Sequence, residues 1–352
     1  MAIQPKPPYQ VIADYLKEQI LNSYSPGDKI PSENELAKMF NVSRLTARKA
    51  IEKLVNERLL VRVQGIGTFV SDASKYQEDS LKYVGVLIKS KFDERGWSLI
   101  AGIERTLEEF RLRPIVIDLD WTNPKQISKR VKALLRQDIV GLIVSPDRVL
   151  LKSKAFTELI NTNFPMVFVD RSVEGVNVVT IESSNYQGGL LLGRHLRKNH
   201  DVHRAVFVTE EPLDLSSVRE RYEGFKQGLK GQVEVVTLNG SLENITHVVS
   251  MIQEDGFDAI FFCHDLLAVR GITLLLREGL KVPEDVKVVG FDNREVSRYV
   301  HPELTTIKQD FEALGEGAAL MLAKLLKNES VPEREQVPVQ LVIRSSCGCK
   351  KD

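Results

Sequence analysis

The sequence predicts a two-part α/β chain: a winged helix-turn-helix over residues 1–70, a linker over 71–81, and a two-lobed domain with parallel sheets over 82–352. Three observations predict it. Up to residue 70 the apolar period is helical three times and then gives way to two short strand-like runs around a Gly-X-Gly turn. Residues 71–80 (SDASKYQEDS) are polar and carry no apolar periodicity. Beyond them, continuous apolar runs of strand length alternate with amphipathic helical stretches, the pattern of parallel sheets covered on both faces. Residues 82–352 are too long a stretch for one such layer, so two lobes with a cleft between them are expected.

In the first part, Val11, Ile12, Tyr15, Leu16 and Ile20 recur at helical spacing, and Pro26-Gly27-Asp28 breaks the pattern. Ser32 followed by Glu35 is a capping box that starts a short helix over 33–40. Asn41-Val42 turns the chain, and Ser43 caps a helix from Arg44 to about Asn56. Ala47, Ala50, Ile51, Leu54 and Val55 share one face of that helix; Thr46, Lys49 and Lys53 point away, Arg48 sits at the flank and Arg44 in the exposed first turn. Strands over 59–63 and 68–70 flank Gln64-Gly65-Ile66-Gly67, which forms the wing. In the second part the strand-like runs are 83–88, 115–119, 140–144, 166–169, 205–208, 233–238, 259–263 and 286–291.

Hydrophobic residues at 43% and charged residues at 27% exclude a disordered chain. Lys+Arg and Asp+Glu are both 48, so net charge names no partner, but its distribution does. Arg44, Arg48, Lys49, Lys53, Arg58 and Arg62 stand against only Glu52 and Glu57, either a footprint for phosphate or a solvated helix face. Residues 1–10 are Pro- and Lys-rich without an apolar stretch, and no run of 18 apolar residues occurs, so neither a signal peptide nor a membrane span is expected. Cys263 lies in an apolar run and reads as buried. Cys347 and Cys349 have no second pair and no histidine at ligand spacing, and His195, His200 and His203, around a polar helix end, read as surface residues. No metal and no cofactor is therefore expected, and the reducing cytoplasm is the expected location. No Gly-X-Ser-X-Gly elbow, P-loop or strand-linked G-x-G-x-x-G is present, so an enzyme is not expected.

The segment 30–70 resembles the GntR family of winged-helix regulators. The resemblance rests on Pro31-Ser32-Glu33-Asn34-Glu35-Leu36-Ala37, Val42-Ser43-Arg44-Leu45-Thr46-Ala47-Arg48-Lys49-Ala50 and Gly65-Ile66-Gly67-Thr68-Phe69-Val70. It implies that Ser32, Arg44, Thr46, Arg48, Gln64 and Gly65 touch double-stranded operator DNA. The residues themselves agree. A helix N-terminus with Ser43, Arg44 and Thr46 offers amides and a guanidinium to phosphate and to the O6/N7 edge of guanine, with Lys49 exposed behind them. Gly65 and Gly67 let the wing backbone approach closely. Glu33, being acidic, is expected to orient Arg44 or Arg48 rather than to touch phosphate.

The segment 83–346 resembles the sensor of the LacI/GalR family, which implies a periplasmic-binding-protein fold. The carrying residues include Val167-Phe168-Val169-Asp170-Arg171, Asn185-Tyr186-Gln187-Gly188-Gly189, Arg219-Glu220-Arg221-Tyr222-Glu223-Gly224-Phe225, Val289-Gly290-Phe291-Asp292-Asn293 and Leu304-Thr305-Thr306-Ile307-Lys308-Gln309-Asp310. Ser184 stands where the family has an acid before Asn185, and His264-Asp265 where it has Asn-Asp or Asp-Asp, so the ligand stays open. Asp170, Arg221, His264, Asp292 and Gln309 fall at strand ends or lobe crossovers, where parallel-sheet proteins bind ligands, with Arg171 beside them. Phe92, Trp97 and Phe311 are candidates to stack on a sugar ring. Asp170, Arg171 and Arg221 serve equally as interlobe ion pairs, and Trp97 as a core or subunit contact.

A GntR-like head on a LacI-like sensor resembles the arabinose-responsive repressors of bacteria. That implies a homodimeric transcriptional repressor of sugar utilisation genes, released from DNA by L-arabinose or a related pentose, without a tetramerising tail because no Leu heptads follow Ser346. The alternatives are a corepressor switch that binds a purine or other metabolite, and a transport-type sugar-binding protein. Cleavage near Tyr76 is expected to release two folded pieces, the sensor piece remaining dimeric.

Overall fold

Local capping builds the first unit. Ser32 Oγ accepts from the Glu35 amide (3.3 Å) and Glu35 Oε2 from the Ser32 amide (2.7 Å), starting α2 (Glu33–Met39). Asn41, at φ 50°, reverses the chain, and Ser43 Oγ accepts from the Thr46 amide (3.1 Å) to start α3 (Arg44–Asn56). With α1 (Pro8–Asn22) these helices enclose Ile12, Leu16, Leu36, Ala47, Ile51 and Leu54, all fully buried. β1 (Leu60–Val63) and β2 (Gly67–Val70) pair antiparallel, Val63 opposite Gly67. Lys29 bridges Phe69, and the Ile30 amide donates to Thr68 O (3.0 Å), so the segment after the expected helix break lines the hairpin as a third strand-like edge.

The structure is a computed structural model and describes residues 7–57, 59–63, 65–71, 82–88, 93–118, 123–238 and 245–349. The chain divides into two compact units, Met1–Leu81 and Lys82–Asp352. Apart from Ser71, the linker expected over 71–81 lies outside the described residues, and so do Gln64, Tyr76 and Phe92.

The second unit contains two parallel sheets. β3 (Lys82–Ile88), β4 (Leu112–Asp118), β5 (Ile139–Val144), β6 (Met166–Val169), β7 (Thr180–Ser183) and β13 (Arg334–Val337) form a six-stranded sheet in the order β13-β7-β6-β5-β3-β4. β8 (Arg204–Thr209), β9 (Gln232–Thr237), β10 (Ala259–Phe262) and β11 (Lys287–Val289) form a four-stranded sheet in the order β11-β10-β8-β9. Alternate residues feed opposite cores, as a doubly covered sheet requires. Val84, Val86, Ile143 and Val167 face one side of the first sheet, and Leu87, Leu142, Val144 and Phe168 the other. Val206, Val208, Ile260 and Phe262 oppose Phe207, Phe261 and Val289 in the second. Cys263 is buried there, and burial pushes its thiol up to about 12.

Helices close both faces. α4 (Glu94–Glu109) and α12 (Phe311–Leu326) cover one side of the six-stranded sheet. α5 (Pro124–Leu134), α6 (Arg148–Leu151) and α7 (Lys154–Asn161) cover the other through Ile127, Leu150 and Phe156. On the four-stranded sheet, α8 (Asn185–His200) and α9 (Ser216–Leu229) lie opposite α10 (Ile245–Gln253) and α11 (Asp265–Arg277). α8 and α9 meet backbone to backbone: a Cβ on Gly189 would stand 2.2 Å from Arg221 O, and one on Gly224 2.0 Å from Tyr186 O.

Two short strands, β12 (Thr306–Lys308) and β14 (Gln340–Val342), pair antiparallel. The chain passes between lobes around Ser184, before α12, and between β13 and β14. No described helix is long and apolar enough to cross a membrane.

Candidate functional site

The first candidate surface is the N-terminus of α3 with the wing. The Arg44 side chain is 70% exposed, and its Nε donates to Glu33 Oε2 (3.0 Å). Arg62 Nη2 donates to Glu33 Oε1 (2.7 Å). Glu33 thus joins Arg44 to Arg62; Arg48 is instead paired with Glu52 one turn on (2.8 Å). Burial works against the Glu33 charge, but the Arg44 hydrogen bond and the charge of Arg62 hold its carboxyl below the usual range. Ser32, Ser43 and Lys49 reach the surface and Thr46 is half-buried; the Lys49 ammonium lies 4.6 Å from the Tyr9 ring centre. Gly65, at φ 77°, turns the wing tip, and a Cβ on Gly67 would meet Lys29 Cε at 2.5 Å.

The second candidate is a cleft of about 750 Å³ between the lobes of the second unit. Asp170, Arg171, His264 and Phe311 line it, together with Arg95 and Arg294, neither of which stands out in the sequence. Arg171 Nη1 donates to Glu211 (2.9 Å) and Nη2 to Asp170 (3.1 Å), so it bridges the lobes. Burial opposes its charge, but Glu211 and Asp170 more than compensate and raise its pKa. His264 Nδ1 accepts from the Leu267 amide (3.2 Å), capping α11, and Nε2 faces Glu210 Oε2 at 3.5 Å. That partner lowers the pKa of Glu210.

Asp292 and Gln309 line a neighbouring cavity of about 400 Å³ that shares Arg95, Arg294 and Phe311 with the cleft. The Asp292 side chain is 1% exposed. It accepts from Gln309 Nε2 (2.6 Å) and Arg95 Nη1 (3.0 Å), and Arg221 Nη1 lies 3.7 Å away. Arg221 also donates to Asn185 Oδ1 (2.9 Å) and Cys263 O (2.7 Å), and its guanidinium covers the Phe291 ring at 3.9 Å. Arg95 Nε and Gln309 Oε1 are buried without a hydrogen-bond partner among the described residues, so this floor keeps a donor and an acceptor unspent. Behind it, Asp265 accepts from Thr306 Oγ1 (2.5 Å) and the Arg294 amide (2.8 Å); burial, with the Asp292 charge, pushes its carboxyl well above the usual range.

Arg221, on α9, and Asp292, just after β11, lie in one buried cluster: Arg221 Nη1 donates to the Cys263 carbonyl at the end of β10, and β10 runs beside β11. Two expectations need correction. Trp97 is 60% exposed and lines neither cavity: from α4, Arg95, Gly96 and Leu99 line the cleft and Glu94, Arg95 and Ser98 its neighbour, while Trp97 falls on another face. His195 is not a surface residue but is 6% exposed, and with His200 it lies beside Cys347 and Cys349, so these four potential metal ligands are not scattered as their spacing suggests. Sequence spacing is blind to this because α8 and the C-terminal turn meet only in the fold. Arg95 carries no sequence signal either; its partner Asp292 lies 197 positions away.

Residues 8–70 match the family model described as bacterial regulatory proteins, gntR family, and residues 194–347 the periplasmic binding protein-like domain. The arabinose metabolism transcriptional repressor of Geobacillus stearothermophilus is 28% identical, over 94% of this chain and 96% of its own. The protein of the same description from Halalkalibacterium halodurans is 26% identical, over 91% and 90%. In fold, the Lac repressor bound to ONPG superposes with a TM-score of 0.63 at 23% identity, covering 97% of this chain and all of that one.

Proposed function

Since the chain joins a helix-turn-helix of the gntR family to a LacI-type periplasmic-binding-protein-like domain, we propose that it is a cytoplasmic, homodimeric transcriptional repressor released from operator DNA by a neutral sugar, a pentose such as L-arabinose foremost. One observation carries the neutral ligand. Asp93, Asp147, Asp170, Glu210 and Glu211 line the cleft against Arg95, Arg171 and Arg294, five carboxylates to three guanidiniums. An anionic metabolite would meet two negative charges in excess, whereas hydroxyls satisfy carboxylates and guanidiniums alike without adding charge. Phe311 is the single Phe, Tyr or Trp lining the cleft among the described residues, which suits one sugar face better than a base stacked on both sides.

In the proposed cycle two sensors pair, and two α3 helices reach half-sites on one face of the duplex. Sugar binding alters the lobe arrangement and lowers operator affinity, and by linkage operator lowers sugar affinity by the same factor. The sugar leaves unchanged, so no turnover is expected. Calorimetry of the full chain with pentoses, hexoses, a purine and a phosphorylated metabolite tests this. A pentose is expected to bind best; binding of the purine or phosphorylated compound alone at millimolar concentration would replace the reading with a corepressor switch. For the head, Arg44→Ala is expected to cost about 1–3 kcal/mol on operator and to relax base preference, if Arg44 reads a guanine. Titrations on operator and scrambled DNA at fixed salt check it; equal losses on both would make Arg44 a phosphate contact.

A further inference from the structure

The geometry points to a tetrahedral Cys2His2 site for a zinc-like divalent cation, formed by His195, His200, Cys347 and Cys349, sharing no residue with the ligand cleft and independent of the regulatory reading. One ligand atom from each residue lies within 4.8 Å of every other. Cys347 Sγ is 3.4 Å from His195 Nε2; Cys349 Sγ is 3.3 Å from His200 Nε2 and 3.8 Å from His195 Nε2. A tetrahedral ion with Zn–S of about 2.3 Å and Zn–N of about 2.0–2.1 Å separates its sulfur and nitrogen ligands by roughly 3.6 Å, so the four atoms already stand near the corners such an ion needs. No disulfide joins the two cysteines.

The backbone favours the arrangement. His195 and His200 project from the last two turns of α8. Gly348, at φ 96°, reverses the chain between the two cysteines, and its Cβ position lies 3.6 Å from the His200 ring, so both thiols return to one point. Thr305 Oγ1 lies 3.1 Å from Cys347 Sγ, a hydroxyl placed to donate to a thiolate as an outer-shell partner. Two thiolates and two neutral imidazoles offset the charge of a divalent cation, and sulfur with nitrogen selects zinc over magnesium or calcium. Bound there, the ion would tie the C-terminal turn to α8 and close a long loop of chain.

The test uses the full chain under a metal-free reductant, stripped with chelator and titrated with Co²⁺ and then Zn²⁺. The expected result is one equivalent of Co²⁺ per chain with the visible bands of tetrahedral cobalt thiolate, displaced by Zn²⁺, and a higher melting temperature when loaded. His200→Ala and Cys349→Ser, both away from the deepest core, are expected to lower affinity by more than the roughly 10–100-fold that outer-shell changes cost. His203→Ala, on the exposed neighbouring residue, is expected to change nothing. Absence of the cobalt thiolate spectrum, or its survival in both ligand variants, would overturn the site and leave a cluster of weakly hydrogen-bonded thiols and imidazoles.

Discussion

Asp292→Asn is expected to yield a repressor that keeps its operator and responds poorly to sugar. The carboxylate is the shared partner of Gln309 and Arg95 and lies beside Arg221. Asparagine keeps the shape and removes the charge, so a sugar hydroxyl held by this cluster loses a charge-assisted hydrogen bond of about 1.5–3 kcal/mol, or roughly 10- to 150-fold in affinity. Asp292→Ala is the harsher change. It leaves Arg95 with Asp93 as its remaining carboxylate and Arg221 with only the neutral oxygens of Asn185 and Cys263, and removing one partner of a buried pair costs about 3–5 kcal/mol. Calorimetry on the asparagine variant, with melting curves for both, separates binding from folding. Unchanged sugar affinity in Asp292→Asn would remove the cluster from the ligand site. Arg221→Ala is the less clean test, because Arg221 also holds Asn185 and the Cys263 carbonyl.

Gly224→Ala is expected to destabilise the second unit by about 3 kcal/mol or more, the upper range for overpacking. The added Cβ would stand 2.0 Å from Tyr186 O and 3.0 Å from Leu190 N, both backbone atoms of the facing helix, so no rotamer change relieves it. The melting temperature should fall by roughly 6–12 °C. Gln227→Ala, exposed on the same helix, should stay within about 0.5 kcal/mol and serves as the control. A melting point unmoved in Gly224→Ala would mean that α8 and α9 separate at little cost.

What the sequence disclosed follows from the range of the interactions. Ser32 with Glu35, and Ser43 with the Thr46 amide, form their helix caps across three residues, so the head was legible from spacing alone. The central strands were legible because both faces are buried and the runs are continuously apolar. β7 and β13 escaped that signal. β7 buries Glu182, paired with Arg334 and accepting from Ser216 Oγ (2.7 Å), and β13 is an exposed edge of mostly polar residues. At the cleft, the strand-end rule located Asp170, His264 and Asp292 near ligand-sized cavities, while Arg95 and Arg294 became visible only when the lobes were assembled.

Glu33 has a consequence for ionic strength. It acts as a built-in counterion shared by Arg44 and Arg62, so this pair brings a net charge of one rather than two to a phosphate backbone. Cations condensed on DNA are released in proportion to the charge delivered, with a slope of about −0.9 in log affinity per neutralised phosphate. Operator binding should therefore weaken less steeply with added salt than a tally of the basic residues on α3 and the wing suggests, leaving more of the discrimination to contacts that salt does not screen.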